Sequence, residues 1–195
     1  MATTIVLVRH GETDWNRERR FQGHADVPLN DAGRAQVRDL AGRLDGETFG
    51  IAYSSPLRRA AESAEILAAT LGIAVEPIDA LREVDVGSWS GLAVSEIEEH
   101  FPEGYRRWVE WKVEGWEDGE SYGDLGERVV AGLLEIAGRH PEEQVLAVTH
   151  GGPMRCALAT AHGLSPGEIG SRLGTYGNCA VARIAVRDGN LEPVA

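Results

Sequence analysis

The chain carries one short pattern twice, and the repetition severely limits what it can fold into. Ile5-Val6-Leu7-Val8 runs into Arg9-His10-Gly11, and Val145-Leu146-Ala147-Val148 runs into Thr149-His150-Gly151. Each is a wholly apolar run, rich in β-branched residues, that stops at a polar residue, a histidine and a glycine. Runs of this length read as strands buried on both faces, as in a parallel sheet. Ligands of open α/β sheets bind beyond the carboxyl ends of the strands. The pattern therefore puts both histidines at the edge where chemistry is expected, each followed by a glycine that lets the backbone turn.

The segments between the two strands support that architecture. Asn30 is a plausible N-cap for a helix reaching Leu44, with Val37, Leu40, Ala41 and Leu44 on one face. Ile51 to Tyr53 reads as a strand. Ser55-Pro56 then opens a helix that carries Ala60, Ala64, Leu67 and Leu71 and stops at Gly72. A third strand is expected at Ile73–Val75, and irregular structure over Leu81–Leu92. A helix is expected from Asp124 to about Gly138, another after Gly152-Pro153, and a closing pair of edge strands over Ala180–Val186 and Leu191–Val194, joined by an Asp188-Gly189-Asn190 turn. The alternation predicts an α/β fold of three layers, helix–sheet–helix, around a mostly parallel sheet. The 195 residues suit a single domain over 1–195. Residues of about 93–123, with Trp108, Trp111 and Trp116 among many glutamates, are expected to form a helical lid insertion. The tryptophans there are expected to act both as substrate wall and as the insertion's own core.

Composition sets outer limits. A formal net charge of −12 argues against nucleic acid and anionic membranes as partners. It leaves room for a small anion, because a few arginines reverse the field within one pocket. The N-terminus lacks a basic, apolar leader, so a cytoplasmic location is expected. Cys156 and Cys179 have neither metal-ligand nor disulfide spacing and are expected in the core. An edge strand leaves a homodimer open to the chain.

The candidate chemistry gathers at strand ends. Arginine offers a planar fork of donors that fits phosphate or carboxylate. The fixed charge of Arg9 disfavours protonation of His10 and leaves a lone pair for attack on phosphorus. Taken alone, an Arg-His pair reads as readily as a structural ion pair. The pair is not alone, however. Arg58 and Arg59 stand in the first turn of a helix, where a cation opposes the helix dipole unless an anion binds nearby; Arg59 is expected to face that anion and Arg58 the solvent. His150 is expected to bind the same anion, with Gly151 bringing a backbone N–H close. Glu83 lies in a Leu-Arg-Glu loop. A carboxylate set beside a phosphate dianion is made easier to protonate by like-charge repulsion, which suits it to protonate a leaving alcohol. His24 is a weaker candidate for substrate contact, while His100, His140 and His162 are expected to serve helix ends.

Taken together, these residues resemble a known family. Leu7-Val8-Arg9-His10-Gly11-Glu12-Thr13 with Asn16, Gln22-Gly23, Asp26-Val27-Pro28-Leu29-Asn30 and Gly33 resembles the N-terminal signature of the histidine phosphatase superfamily, the phosphoglycerate mutase-like group (branch 1). Ser54-Ser55-Pro56-Leu57-Arg58-Arg59-Ala60, Leu81-Arg82-Glu83 with Gly87 and Trp89, Gly119-Glu120-Ser121 and Thr149-His150-Gly151-Gly152 resemble its later motifs in the same order. Trp89-Ser90-Gly91 departs from the family's frequent Trp-Glu-Gly. The resemblance implies that His10 becomes a phosphohistidine, that Arg9, Arg59 and His150 bind the phosphoryl group, that Glu83 donates the proton, and that Asn16, Gln22 and Gly23 line the pocket. It implies a metal-independent phosphomonoesterase without a cofactor, acting on a small-molecule phosphate ester, of the histidine acid phosphatase type. The alternative is a cofactor-dependent phosphoglycerate mutase, an isomerase with the same intermediate. An inactive relative that only binds partners is disfavoured, since every expected catalytic position is filled.

Overall fold

The computed structural model describes residues 2–110, 114–116, 118–165, 168, 172 and 176–194. In chain order the elements are β1 (Thr3–Arg9), α1 (Asp14–Arg17), α2 (Asp31–Leu44), β2 (Ala52–Ser54), α3 (Arg58–Leu71), β3 (Val75–Pro77), α4 (Val94–His100), α5 (Pro102–Val109), α6 (Tyr122–Arg139), β4 (Gln144–Thr149), α7 (Gly151–His162), β5 (Val181–Arg187) and β6 (Asn190–Pro193). They build one six-stranded sheet in the order β3-β2-β4-β1-β5-β6. The first four of these strands run parallel, and β5 and β6 are antiparallel additions at one side.

The two apolar runs account for the layers. Successive side chains of a strand point to opposite faces, so a run without polar residues must be covered on both. Val6 and Val8 of β1, with Leu146 and Val148 of β4, pack on α2 and α3 through Val37, Leu40, Ala60, Ala64 and Leu67. Ile5 and Leu7, with Val145 and Ala147, face α6 and α7 through Leu125, Val129, Leu133, Ile136 and Ala157. Each leucine or isoleucine fully buried in this way contributes about 1.5–3 kcal/mol. Both cysteines are buried, as expected. Among the described residues no helix is long and apolar enough to cross a membrane.

Several boundaries differ from the sequence reading, each for a local reason. Strand β3 begins at Val75 because Gly72 closes α3 in a left-handed turn (φ 69°) and the Ile73 N–H still caps Ala68 O at 3.2 Å. Pro77 ends the strand and is tolerated because β3 is an edge strand. Helix α6 begins two residues early, at Tyr122, because Ser121 is its N-cap and accepts the Asp124 N–H at 3.0 Å. The short α1 was not anticipated, although Thr13 and Asn16 form a reciprocal capping box around it. The Leu81–Leu92 stretch is irregular, apart from tight 3₁₀ turns at Asp79–Leu81 and Gly87–Trp89. Residues 93–123 contribute α4 and α5, and the Trp111 expectation falls outside the described residues.

Candidate active site

Strands β1 and β4 are parallel neighbours in which Arg9 pairs with Thr149. The residue after each strand end is a histidine, so the sheet itself sets His10 beside His150, with ring centroids 5.1 Å apart. Both are buried, His10 at 2% exposure and His150 at 0%. The His10 Nδ1 lies 2.7 Å from Gly11 O. A carbonyl only accepts, so Nδ1 carries the proton and the Nε2 lone pair is left for chemistry. Asn178 fixes this turn by donating to His10 O and Gly11 O, each at 3.1 Å, and to Asn16 Oδ1 at 3.2 Å. Gly11 itself cannot be larger. A β-carbon there would stand 2.6 Å from Gly33 O, where α2 presses on the loop.

Arg59 is delivered by α3. That helix has no side-chain cap of its own; instead Asp26 Oδ1 accepts the Arg58 N–H at 2.8 Å. Arg58 is exposed and Arg59 is 0% exposed, as the sequence suggested. The Arg59 guanidinium donates to Gly23 O and Ala25 O, each at 2.8 Å, and so binds the loop that carries Gln22 to the helix. Arg9 donates to Tyr176 O at 2.6 Å. Neither guanidinium has a carboxylate within ion-pair distance among the described residues. His150 Nε2 lies 2.8 Å from Ser55 Oγ.

Glu83 closes the ring. Its Oε1 accepts the N–H groups of Val84 and Gly152, both at 3.0 Å. A β-carbon at position 152 would stand 2.5 Å from that oxygen, so the close approach requires glycine. The Glu83 backbone is anchored from below. His24 Nε2 lies 2.7 Å from its carbonyl, and Arg128, paired with Glu120 at 2.7 Å, donates to the same carbonyl at 3.3 Å. His24 thus supports the loop that carries Glu83 and is absent from the cavity wall.

Arg9, His10, Asn16, Gln22, Gly23, Arg59, Glu83 and Gly151 line one cavity of about 400 Å³, and His150 stands directly behind His10. Eight of the nine expected site residues therefore line one cavity, and the ninth, His150, is buried against His10 and absent from its wall. The Nε atoms of Arg9 and Arg59, Nδ1 of His150 and Oε1 of Gln22 are buried without a partner. Buried polar groups are rarely left unpaired. Two guanidinium groups in the cavity wall, on which Glu83 acts only from beyond ion-pair distance, suit the cavity to a polyatomic anion. The cavity's outer part is aromatic, with Phe21, Trp108, Trp116 and Tyr122 in its wall. Trp116 also packs edge-on against Trp89, and Trp108 against Phe21, so these rings serve wall and core at once. Sequence reasoning missed Asn178, Tyr176 and Ser55 as site partners, since each acts through a contact with residues distant in the chain.

Burial, then the charges of Arg59 and Arg9, holds His10 well below its ordinary value of 6.5; burial, Arg59, His10 and Arg9 do the same to His150. Burial also lowers Arg59 to about 10, which keeps it charged at neutral pH. The two histidines have a consequence for stability. Below 6.5 the unfolded chain takes up protons that the folded chain refuses. Stability is therefore complete above 6.5 and declines as pH falls beneath it, by up to about 1.4 kcal/mol per pH unit for each histidine. Urea melts between pH 7.5 and 5.5 should show this decline, and His150→Gln should show a shallower one. Equal slopes in the two proteins would contradict the assignment.

Comparison with known proteins agrees with this geometry. The family model for the histidine phosphatase superfamily (branch 1) matches residues 5–195, and the chain belongs to that family. It is 41% identical over 159 residues to phosphoserine phosphatase 1 of Hydrogenobacter thermophilus, covering 79% of this chain and 75% of that one. It is 40% identical over 159 residues to the metal-independent phosphoserine phosphatase of Arabidopsis thaliana, covering 78% and 66%. Phosphoglycerate mutase-like protein 4 of Arabidopsis thaliana and the probable phosphoglycerate mutase GpmB of an Enterobacter species match as well. Among solved structures, Bacillus stearothermophilus YhfR superposes with a TM-score of 0.91 at 32% identity, covering 100% of this chain and 96% of that one.

Proposed function

We propose that the protein is a metal-independent phosphomonoesterase that hydrolyses a small phosphorylated metabolite through a phosphohistidine on His10. The observation that carries this reading is the bond from His10 Nδ1–H to Gly11 O beside two guanidinium groups that have no carboxylate within ion-pair distance among the described residues. It leaves Nε2 of a cavity-lining imidazole unprotonated.

The first step is in-line attack of Nε2 on phosphorus. Arg9 and Arg59 of the cavity wall hold the equatorial oxygens, where charge is spread in the transition state, and His150, buried against His10 with Nε2 on Ser55, joins them through its unpartnered Nδ1. Glu83 supplies a proton to the departing alcohol; its Oε1 is held by two N–H groups, and its other oxygen handles the proton. Water then attacks the phosphohistidine, with Glu83 accepting the proton it gave up. Asn16, Gln22, Gly23 and Gly151 shape the receptor. The histidine acid phosphatase type assigned from sequence is part of this proposal, as is the role of residues 93–123 as a lid over the aromatic wall.

The relatives named as phosphatases support hydrolysis, and the mutase-named relatives supply the second reading. The two differ in whether water or a second hydroxyl takes the phosphoryl group. Incubation with 3-phosphoglycerate, with and without the bisphosphorylated cofactor and in the presence of chelator, separates them. Steady phosphate release that ignores both additions is expected. Rapid cofactor-dependent isomerisation without net release would overturn the choice.

Glu83→Gln removes the proton donor and keeps the shape. Its rate on alkyl phosphates should fall by about 10²–10⁴, and its rate on nitrophenyl phosphate, whose leaving group needs little help, far less. Equal slowing in steady-state assays would argue against an acid role.

A further inference from the structure

The segment that follows α1 breaks a local rule. Helix α1 ends in a Schellman arrangement, in which the Arg19 N–H bonds Asn16 O at 3.1 Å and the Arg20 N–H bonds Trp15 O at 2.8 Å. The residue after the C-cap then sits in the left-handed region, which favours glycine. Here it is Arg19, with φ of 56°. An L-side chain in this conformation costs backbone energy that glycine would not. Such outliers concentrate at functional sites.

Among the described residues no hydrogen bond or ion pair holds the Arg19 side chain. Its two arginine neighbours are neutralised: Arg17 pairs with Asp14 at 2.9 Å, and Arg20 with Glu18 at 3.0 Å and Glu96 at 2.9 Å. Arg19 has no carboxylate partner among the described residues, in a chain with a formal charge of −12. A favourable interaction with the end of α1 does not explain it, since Arg17 already occupies that last turn. The backbone at Arg19 is nevertheless fixed, because its carbonyl accepts the Val94 N–H at 3.1 Å, and both residues line the cavity that holds His10.

We propose that Arg19 is a specificity-determining residue that receives a second anionic group, a carboxylate or a further phosphate, on the alcohol part of the substrate. The proposal rests on the phosphomonoesterase reading above. The phosphoryl group occupies the buried receptor of Arg9, Arg59 and His150. The exposed Arg19 stands in the wall of the same cavity and faces what remains of the substrate. An exposed guanidinium reads charge and is screened by salt, so this discrimination weakens as ionic strength rises.

The test compares phenyl phosphate, 4-carboxyphenyl phosphate and hydroquinone bisphosphate as substrates of the wild type, Arg19→Gly and Arg19→Lys. Glycine suits the left-handed position, so this variant should melt no lower than the wild type. The readout is the ratio of kcat/KM for each charged ester to that for phenyl phosphate. Arg19→Gly should lower at least one ratio about tenfold, through KM, the worth of one charge-assisted hydrogen bond. Arg19→Lys should restore part of it, and added salt should shrink the wild-type ratio. Which ester responds tells carboxylate from phosphate. Ratios unchanged for both esters would overturn the proposal. Titration of His10→Ala and of His10→Ala with Arg19→Gly, by calorimetry with the same three esters, keeps the two readings apart. If the wild type released no phosphate but binding selectivity still depended on Arg19, hydrolysis would be wrong and the anion subsite right. If hydrolysis proceeded and selectivity ignored Arg19, the subsite would be wrong and hydrolysis right.

Discussion

Replacing His10 with alanine is expected to lower kcat/KM by at least about 10⁴-fold, with residual activity near the detection limit. The expectation follows from what the imidazole does in the proposed path. It is the atom that carries the phosphoryl group, so its loss removes a covalent step and not just one favourable contact. Binding should largely survive, because Arg9 and Arg59 are anchored by Tyr176 O and by Gly23 O and Ala25 O, independently of His10. Calorimetric affinity for a phosphate ester should therefore change little while turnover collapses. Substantial hydrolysis by the folded variant would mean that water attacks phosphorus directly. The nucleophile assignment would then be wrong even if every other residue were correctly placed.

The second large effect is expected at Arg59. This side chain is fully buried and has two tasks. It faces the anion, and it ties the Gly23–Ala25 loop to α3 through two bonds of 2.8 Å. Arg59→Ala should lower kcat/KM by about 10³-fold and stability by about 2–4 kcal/mol, since one buried and one half-buried carbonyl lose their donors. Arg59→Lys separates charge from geometry. Lysine keeps the charge and loses the planar fork, so activity should recover only in part, to about 10²-fold below the wild type. Full recovery would show that point charge alone suffices. Steady-state kinetics on phenyl phosphate and urea melts check the two effects separately.

Much of this molecule was legible in its sequence, for a specific reason. A strand buried on both faces must be apolar throughout, so β1 and β4 announce themselves, and the residue that ends each run must lie at the sheet edge. That alone sets His10 and His150 at the same sheet edge across a span of 140 positions, and the β1–β4 pairing then makes them neighbours. The helix expected to open at Ser55-Pro56 begins instead at Arg58, with Leu57 as an N-cap that has no side-chain bond, yet Arg59 still falls in its first turn. What the sequence concealed depends on contacts between distant segments. Asn178 reaches back to His10 and Gly11 from the lead-in to β5, and no periodicity marks it. The Ile73 boundary shifted because a helix cap outlasted the apolar pattern. Arg19 was invisible because its meaning lies in a backbone angle, and one arginine among several in a polar loop reads as surface.

The central claim is that an uncharged imidazole on His10 becomes the transient phosphoryl carrier. It is tested most directly by quenching the enzyme in alkali within the first turnovers on a phosphate ester and measuring the intact and peptide masses. The account predicts one added phosphoryl group, mapped to the peptide containing His10, that appears and decays at rates consistent with turnover and is absent from His10→Ala. Continued turnover with no label on His10, or with the label on another residue, would contradict it.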